Sequence, residues 1–69
     1  MKKALDNLRA ICAEKEITLT KACELSGVPW GTVMDWNENK PNATNLLKMA
    51  SALDIDPIRL IEGVDDGQP

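Results

Sequence analysis

Histidine, tyrosine and phenylalanine are absent from this 69-residue sequence. Without histidine, the commonest general base and the commonest metal ligand are both missing. Two cysteines, Cys12 and Cys23, are too few for a disulfide scaffold and do not have CxxC spacing. Each falls in an apolar helical pattern and reads as a small buried hydrophobe of a reduced compartment. The sequence leaves a bridge between them open. No nucleophile stands beside a base, no metal ligands cluster at a usable spacing, and so short a chain leaves little room for a pocket. Neither an enzyme, a cofactor nor a small-molecule substrate is expected. No apolar run approaches a membrane span, and the N-terminus lacks the apolar core of a signal peptide. The expected place is the cytoplasm, away from membranes.

Basic charge is also scarce, and the net charge is −3. The first 40 residues balance Lys2, Lys3, Arg9, Lys15, Lys21 and Lys40 against Asp6, Glu14, Glu16, Glu24, Asp35 and Glu38. The remainder sets Lys48 and Arg59 against Asp54, Asp56, Glu62, Asp65 and Asp66. The acidity is therefore C-terminal. Any phosphate-binding face must be assembled from few cations, which argues against strong non-specific nucleic-acid binding.

What is present is helical punctuation. Leu5, Leu8, Ile11 and Cys12 recur at three- and four-residue steps, which predicts an amphipathic helix over 3–15 with Lys3, Asp6, Asn7 and Glu14 on its wet side. Thr18 or Thr20 can cap a second helix running to about Ser26, with Ala22, Cys23 and Leu25 on its apolar face and Gly27 just past its end. Pro29 suits the first turn of a third helix over 29–37, whose Val33 and Trp36 face inward. A polar loop through Asn37–Pro41 precedes a fourth helix capped by Asn42 and carrying Leu46, Leu47, Met49, Ala50 and Leu53. Asp56-Pro57 opens a short fifth helix through Ile58, Leu60 and Ile61. Leu60, Ile61 and Val64 read as a lid on the core, or else as a self-association patch. No strand alternation is visible. The expectation is one all-α domain over residues 1–62, a compact five-helix bundle, with a short polar tail over 63–69.

The informative unit is 18–37. Two short helices are joined by the tight Ser26-Gly27-Val28 turn, and the small residues Ala22 and Cys23 allow a close, steep crossing. That geometry turns one face of the third helix outward, free to enter a major groove. Trp30 falls on this outer side. The order of segments resembles the Cro/CI-type (lambda-repressor-like, XRE) helix-turn-helix family. The resemblance is carried by Ile17-Thr18, Gly27-Val28-Pro29, Thr32-Val33, Asn39-Lys40-Pro41, the stretch Leu46–Ile55, and Pro57–Ile61. It covers about residues 4–62 and implies a five-helix bundle that binds operator DNA, usually as a homodimer.

Carried over by position, the resemblance nominates Trp30, Gly31, Met34 and Asp35 as groove-facing. It makes Thr18, Leu19, Lys21, Thr32, Asn37, Asn39 and Lys40 candidates for phosphate contact. Their chemistry is mixed. Lys21 and Lys40 can neutralise phosphates, the hydroxyls and amides can hydrogen-bond them, and backbone N–H groups at the helix starts favour anions. The groove-facing set lacks the Arg, Gln or Asn used in efficient base readout. Asp35 can accept from a cytosine amino group, and Trp30 and Met34 can touch a thymine methyl. The family's usual ion pair between an Arg of helix one and a Glu at the end of helix three is replaced by Cys12 and Asn37, so neither charge is stranded. The leading expectation is a sequence-specific regulator of the small phage or bacterial repressor type, acting on double-stranded DNA. The alternative is a protein-interaction or dimerisation module that reuses the fold, with Trp30 and Met34 as its anchors.

Overall fold

A computed structural model of the chain describes residues 3–64. Among them lie five helices and no strand: α1 Ala4–Lys15, α2 Leu19–Ser26, α3 Trp30–Asp35, α4 Ala43–Leu53 and α5 Ile58–Ile61. Each boundary has a local chemical cause. At the start of α1 the Lys3 backbone N–H donates to the Asp6 carboxylate at 3.2 Å, and an acid in the first turn also suits the helix dipole. Thr18 caps α2 by accepting from the Lys21 N–H at 3.0 Å, which settles the choice between Thr18 and Thr20. Asn42 caps α4 by accepting from the Asn45 N–H at 2.8 Å. Asp56 accepts from the Ile58 N–H at 3.0 Å ahead of α5. Helices α1 and α4 close on left-handed residues that are not glycine, Glu16 at φ 58° and Asp54 at φ 55°.

The core draws on every helix. Ala4, Leu5, Leu8, Ile11 and Cys12 of α1 meet Ala22 of α2, Val33 and Trp36 around α3, Met49, Ala50 and Leu53 of α4, and Leu60 of α5. Val28 is buried at the turn. Helix α2 lies chiefly along α4, α1 packs against α5 and α2, and α3 touches α2. Helix α2 therefore makes its main packing with α4 rather than with α3. The Leu5 N–H donates to the Trp36 carbonyl at 3.4 Å, tying the start of α1 to the end of α3. Between α5 and α1, Arg59 pairs with Glu14 at 2.6 Å. Both side chains are about half exposed, so the pair contributes under about 1 kcal/mol.

Several positions differ from the sequence expectation. Asn7, placed on the wet side of α1, is buried, and its amide donates to the carbonyls of Leu60 at 2.9 Å and Glu62 at 3.0 Å. It satisfies two carbonyls at the end of α5, which no periodicity argument reveals. Leu25 and Leu47, expected on apolar inner faces, are 51% and 57% exposed. Leu47 stands one residue off the stripe formed by Leu46, Met49, Ala50 and Leu53. Ile58, in the short fifth helix, is also exposed. Pro29 is the extended residue before α3 rather than its first helical residue, and the helix ends at Asp35 with a turn continuing to Glu38. Leu60 is fully buried and Val64 packs against the core, so both belong to the lid rather than to a free patch. Residues 65–69 of the expected tail lie outside the described residues.

Candidate nucleic-acid interface

The α2–turn–α3 unit is braced at its corner. Gly27 adopts φ 77°, a conformation that would strain any L side chain, and its N–H donates to the Cys23 carbonyl at 2.9 Å. The Ser26 hydroxyl donates to the Cys23 carbonyl at 3.3 Å and accepts from the Val28 N–H at 3.2 Å. Val28, 1% exposed, anchors the far side of the turn. The path of the chain into α3 is thus fixed by one positive φ, one bridging hydroxyl and one buried side chain.

Helix α3 is then divided into two faces. Val33 and, just past the helix, Trp36 are buried at 0% and 2% exposure. Opposite them, Gly31 and Asp35 are exposed, and Trp30 is 49% exposed. Thr32 and Met34 flank this outer arc and are half-buried, with Met34 packed partly against the core. Met34 therefore offers only part of its side chain to a partner. Asp35 is oriented from outside the helix, where the Asn39 amide donates to its carboxylate at 3.1 Å. The Asn39 backbone N–H also donates to the Asp35 carbonyl, at 2.9 Å.

Apart from Thr32 on α3, the positions nominated for phosphate contact lie on two segments. Thr18 is exposed at the start of α2, where its hydroxyl accepts from the backbone and keeps its proton to donate. Lys21, one turn on, stands 4.0 Å from Glu24 with both side chains more than half exposed, a weak contact that leaves the ammonium accessible. Leu19, between them, is half-buried against the core and contributes packing. Asn37, Asn39 and Lys40 are exposed in the segment after α3. Lys3 is exposed ahead of α1, and Lys2 lies outside the described residues.

Cysteine chemistry stands apart from this face. Both cysteines are free thiols, Cys12 buried and Cys23 half-buried. Burial pushes both thiols above their ordinary value of 9.0, and the neighbouring Cys23 adds to the rise at Cys12. They are protonated and weakly nucleophilic at neutral pH. Among the described residues no group of three or more His, Cys, Asp or Glu side chains could hold a metal ion. No helix among them is long and apolar enough to cross a membrane.

One feature escaped the sequence reading. The exposed Leu25 and Leu47 line an open groove between α2 and α4, together with the small residues Ser26, Thr44, Ser51 and Ala52 and with Lys48. Leu47's phase on α4 was the available signal, since it falls outside the inward stripe.

Compared with known proteins, residues 7–66 match the family described as the Cro/C1-type HTH DNA-binding domain. No curated protein and no solved structure matches the chain. The family match covers most of the sequence, and the chain belongs to the Cro/C1-type helix-turn-helix DNA-binding domains.

Proposed function

We propose that this Cro/C1-type domain is a sequence-specific transcriptional regulator that inserts α3 into the major groove of double-stranded DNA, with α2 crossing the backbone. The observation that carries the reading is the division of α3: Val33 and Trp36 hold it from inside, while Trp30, Gly31 and Asp35 stay outside. A helix so short and so fixed at the Gly27 turn is a rigid reading head. Thr18 and Lys21 on α2, and Thr32, Asn37, Asn39 and Lys40 in and after α3, contact phosphates on either side, and Leu19 buttresses the α2 start. Groove contacts fall to Trp30, Gly31, Asp35 and the outer part of Met34. The protein acts in the cytoplasm as a homodimer and represses by occupying a palindromic operator, its two reading heads about 34 Å apart. It needs neither cofactor nor small-molecule substrate.

Fluorescence anisotropy of a promoter-derived duplex across a salt series tests this. Two cations per protomer imply a shallow dependence, with a log–log slope of about −2 for each protomer. Lys21→Glu with Lys40→Glu abolishes binding and leaves the oligomeric state intact. Absence of binding to any promoter-derived duplex at low salt overturns the proposal.

A second reading is favoured by the Leu25/Leu47 groove, whose exposed leucines suit a docking partner better than solvent. Under it the chain is a protein-interaction module. Leu25→Ser with Leu47→Ser then removes partner binding, whereas under the DNA reading duplex affinity is unchanged.

A further inference from the structure

We propose that the α3 arc recognises its DNA site through the 5-methyl groups of thymines, gripped by the Trp30 ring beside the bare backbone of Gly31, rather than through the hydrogen-bonding edges of purines. This rests on the DNA reading above and names what the reading head reads.

Three observations converge. The six residues of α3, Trp30–Asp35, include no Arg, Lys, Gln or Asn, so the helix has no fork for guanine O6/N7 or for adenine N6/N7. Its one charged group, Asp35, only accepts, and one carboxylate oxygen is already engaged by Asn39. It suits an amino edge, such as cytosine N4, and repels the carbonyl edges of guanine and thymine. Next, the large apolar surface on the arc belongs to Trp30, 49% exposed, whereas the chain's other indole, Trp36, lies in the core at 2%. About half of the Trp30 surface is therefore open to a partner. Finally, Gly31 is dictated neither by backbone nor by space. Among the described residues the positive-φ glycines are Gly27 and Gly63, and a Cβ at Gly31 meets nothing within 4 Å. A glycine inside a helix lowers stability relative to alanine. What Gly31 provides is a side-chain-free strip beside the indole, letting the backbone approach the floor of the groove. In the major groove the apolar feature of a base pair is the thymine methyl.

The test uses the whole chain and a duplex enriched from a random-sequence library by the wild-type protein. Each thymine of that duplex is replaced in turn by deoxyuridine, which deletes the methyl and preserves pairing, and affinity is read by anisotropy. Burial of one methyl corresponds to about a four-fold change in affinity. The expected result is a loss of about that size at one or more thymines. The loss is retained in Trp30→Phe and vanishes in Trp30→Ala, with both variants checked for native helix content. A wild-type chain that binds the duplex but is indifferent to every uracil overturns methyl recognition and leaves DNA binding standing. A library from which nothing is enriched, with no duplex bound at low salt, overturns the DNA reading and this inference together.

Discussion

Two tryptophans six residues apart have opposite environments. Trp36 is 2% exposed at the end of α3, wedged among the side chains of the core, and its carbonyl receives the Leu5 N–H. Trp30 opens the same helix and leaves about half its surface in water. The inner ring is explained by packing, because in so small a domain one large buried side chain is a substantial share of the core. The outer ring has no such explanation. The difference separates what holds α3 from what α3 holds: the inner face fixes the helix, and the outer face is available to a partner.

That contrast can be broken by substitution. Trp36→Ala removes a large buried side chain and costs about 3–5 kcal/mol, comparable to the entire stability expected of a domain this size. Trp30→Ala stays within about 1 kcal/mol of wild type in urea denaturation while weakening duplex binding about ten-fold or more. Equal destabilisation by the two substitutions removes the distinction. Next in size is Asn7→Ala, which strands the carbonyls of Leu60 and Glu62 and costs about 1–3 kcal/mol by the same assay. Thr18→Ala, which deletes the α2 cap, costs about 1 kcal/mol and also weakens DNA binding, whereas the matching loss of the α4 cap in Asn42→Ala lowers stability alone.

The smallest effects concern the scaffold away from α3. Glu16→Gly and Asp54→Gly each raise stability by about 0.5–1 kcal/mol, since both positions hold left-handed backbone that glycine adopts without strain. The thiols add an alkaline signature. Cys12 and Cys23 keep their protons above 9.0 in the folded state, so the unfolded chain ionises first. Between 9.0 and the folded values the unfolded state binds fewer protons, and stability falls as pH rises through that window. Below 9.0 this contribution is constant. Denaturation midpoints measured from pH 8 to pH 11 show a shallower alkaline decline once both cysteines are replaced by alanine.

The architecture was readable because its signals are local. Gly27, Asn42, the Asp56-Pro57 pair and the α1 stripe each fix a boundary or a face within a few residues, and all five expected helices are present, with α3 shorter at both ends than the expected 29–37. The ends of α1 and α4 follow from the apolar stripe alone, because Glu16 and Asp54 occupy the left-handed position that glycine usually marks. The burial of Asn7 is not legible in the local pattern. Its partners are carbonyls more than fifty residues away, so only the fold reveals why an amide is buried in α1. Met34 and Leu19 show the same limit at the interface: their places in the helices are legible, but how far neighbouring elements cover them is a tertiary property. The composition of the outer arc, by contrast, is plain in the sequence, and its shortage of base-reading side chains is what directs attention to Trp30.

The most direct measurement of the central claim uses the chain's two indoles as internal probes. In ¹H–¹⁵N spectra recorded during titration with the enriched duplex, the Trp30 indole N–H resonance shifts strongly, along with the backbone amides of Gly31, Asp35 and Thr18, while the Trp36 indole stays in place. Large shifts centred on Leu25 and Leu47, with the Trp30 indole unmoved, contradict the account.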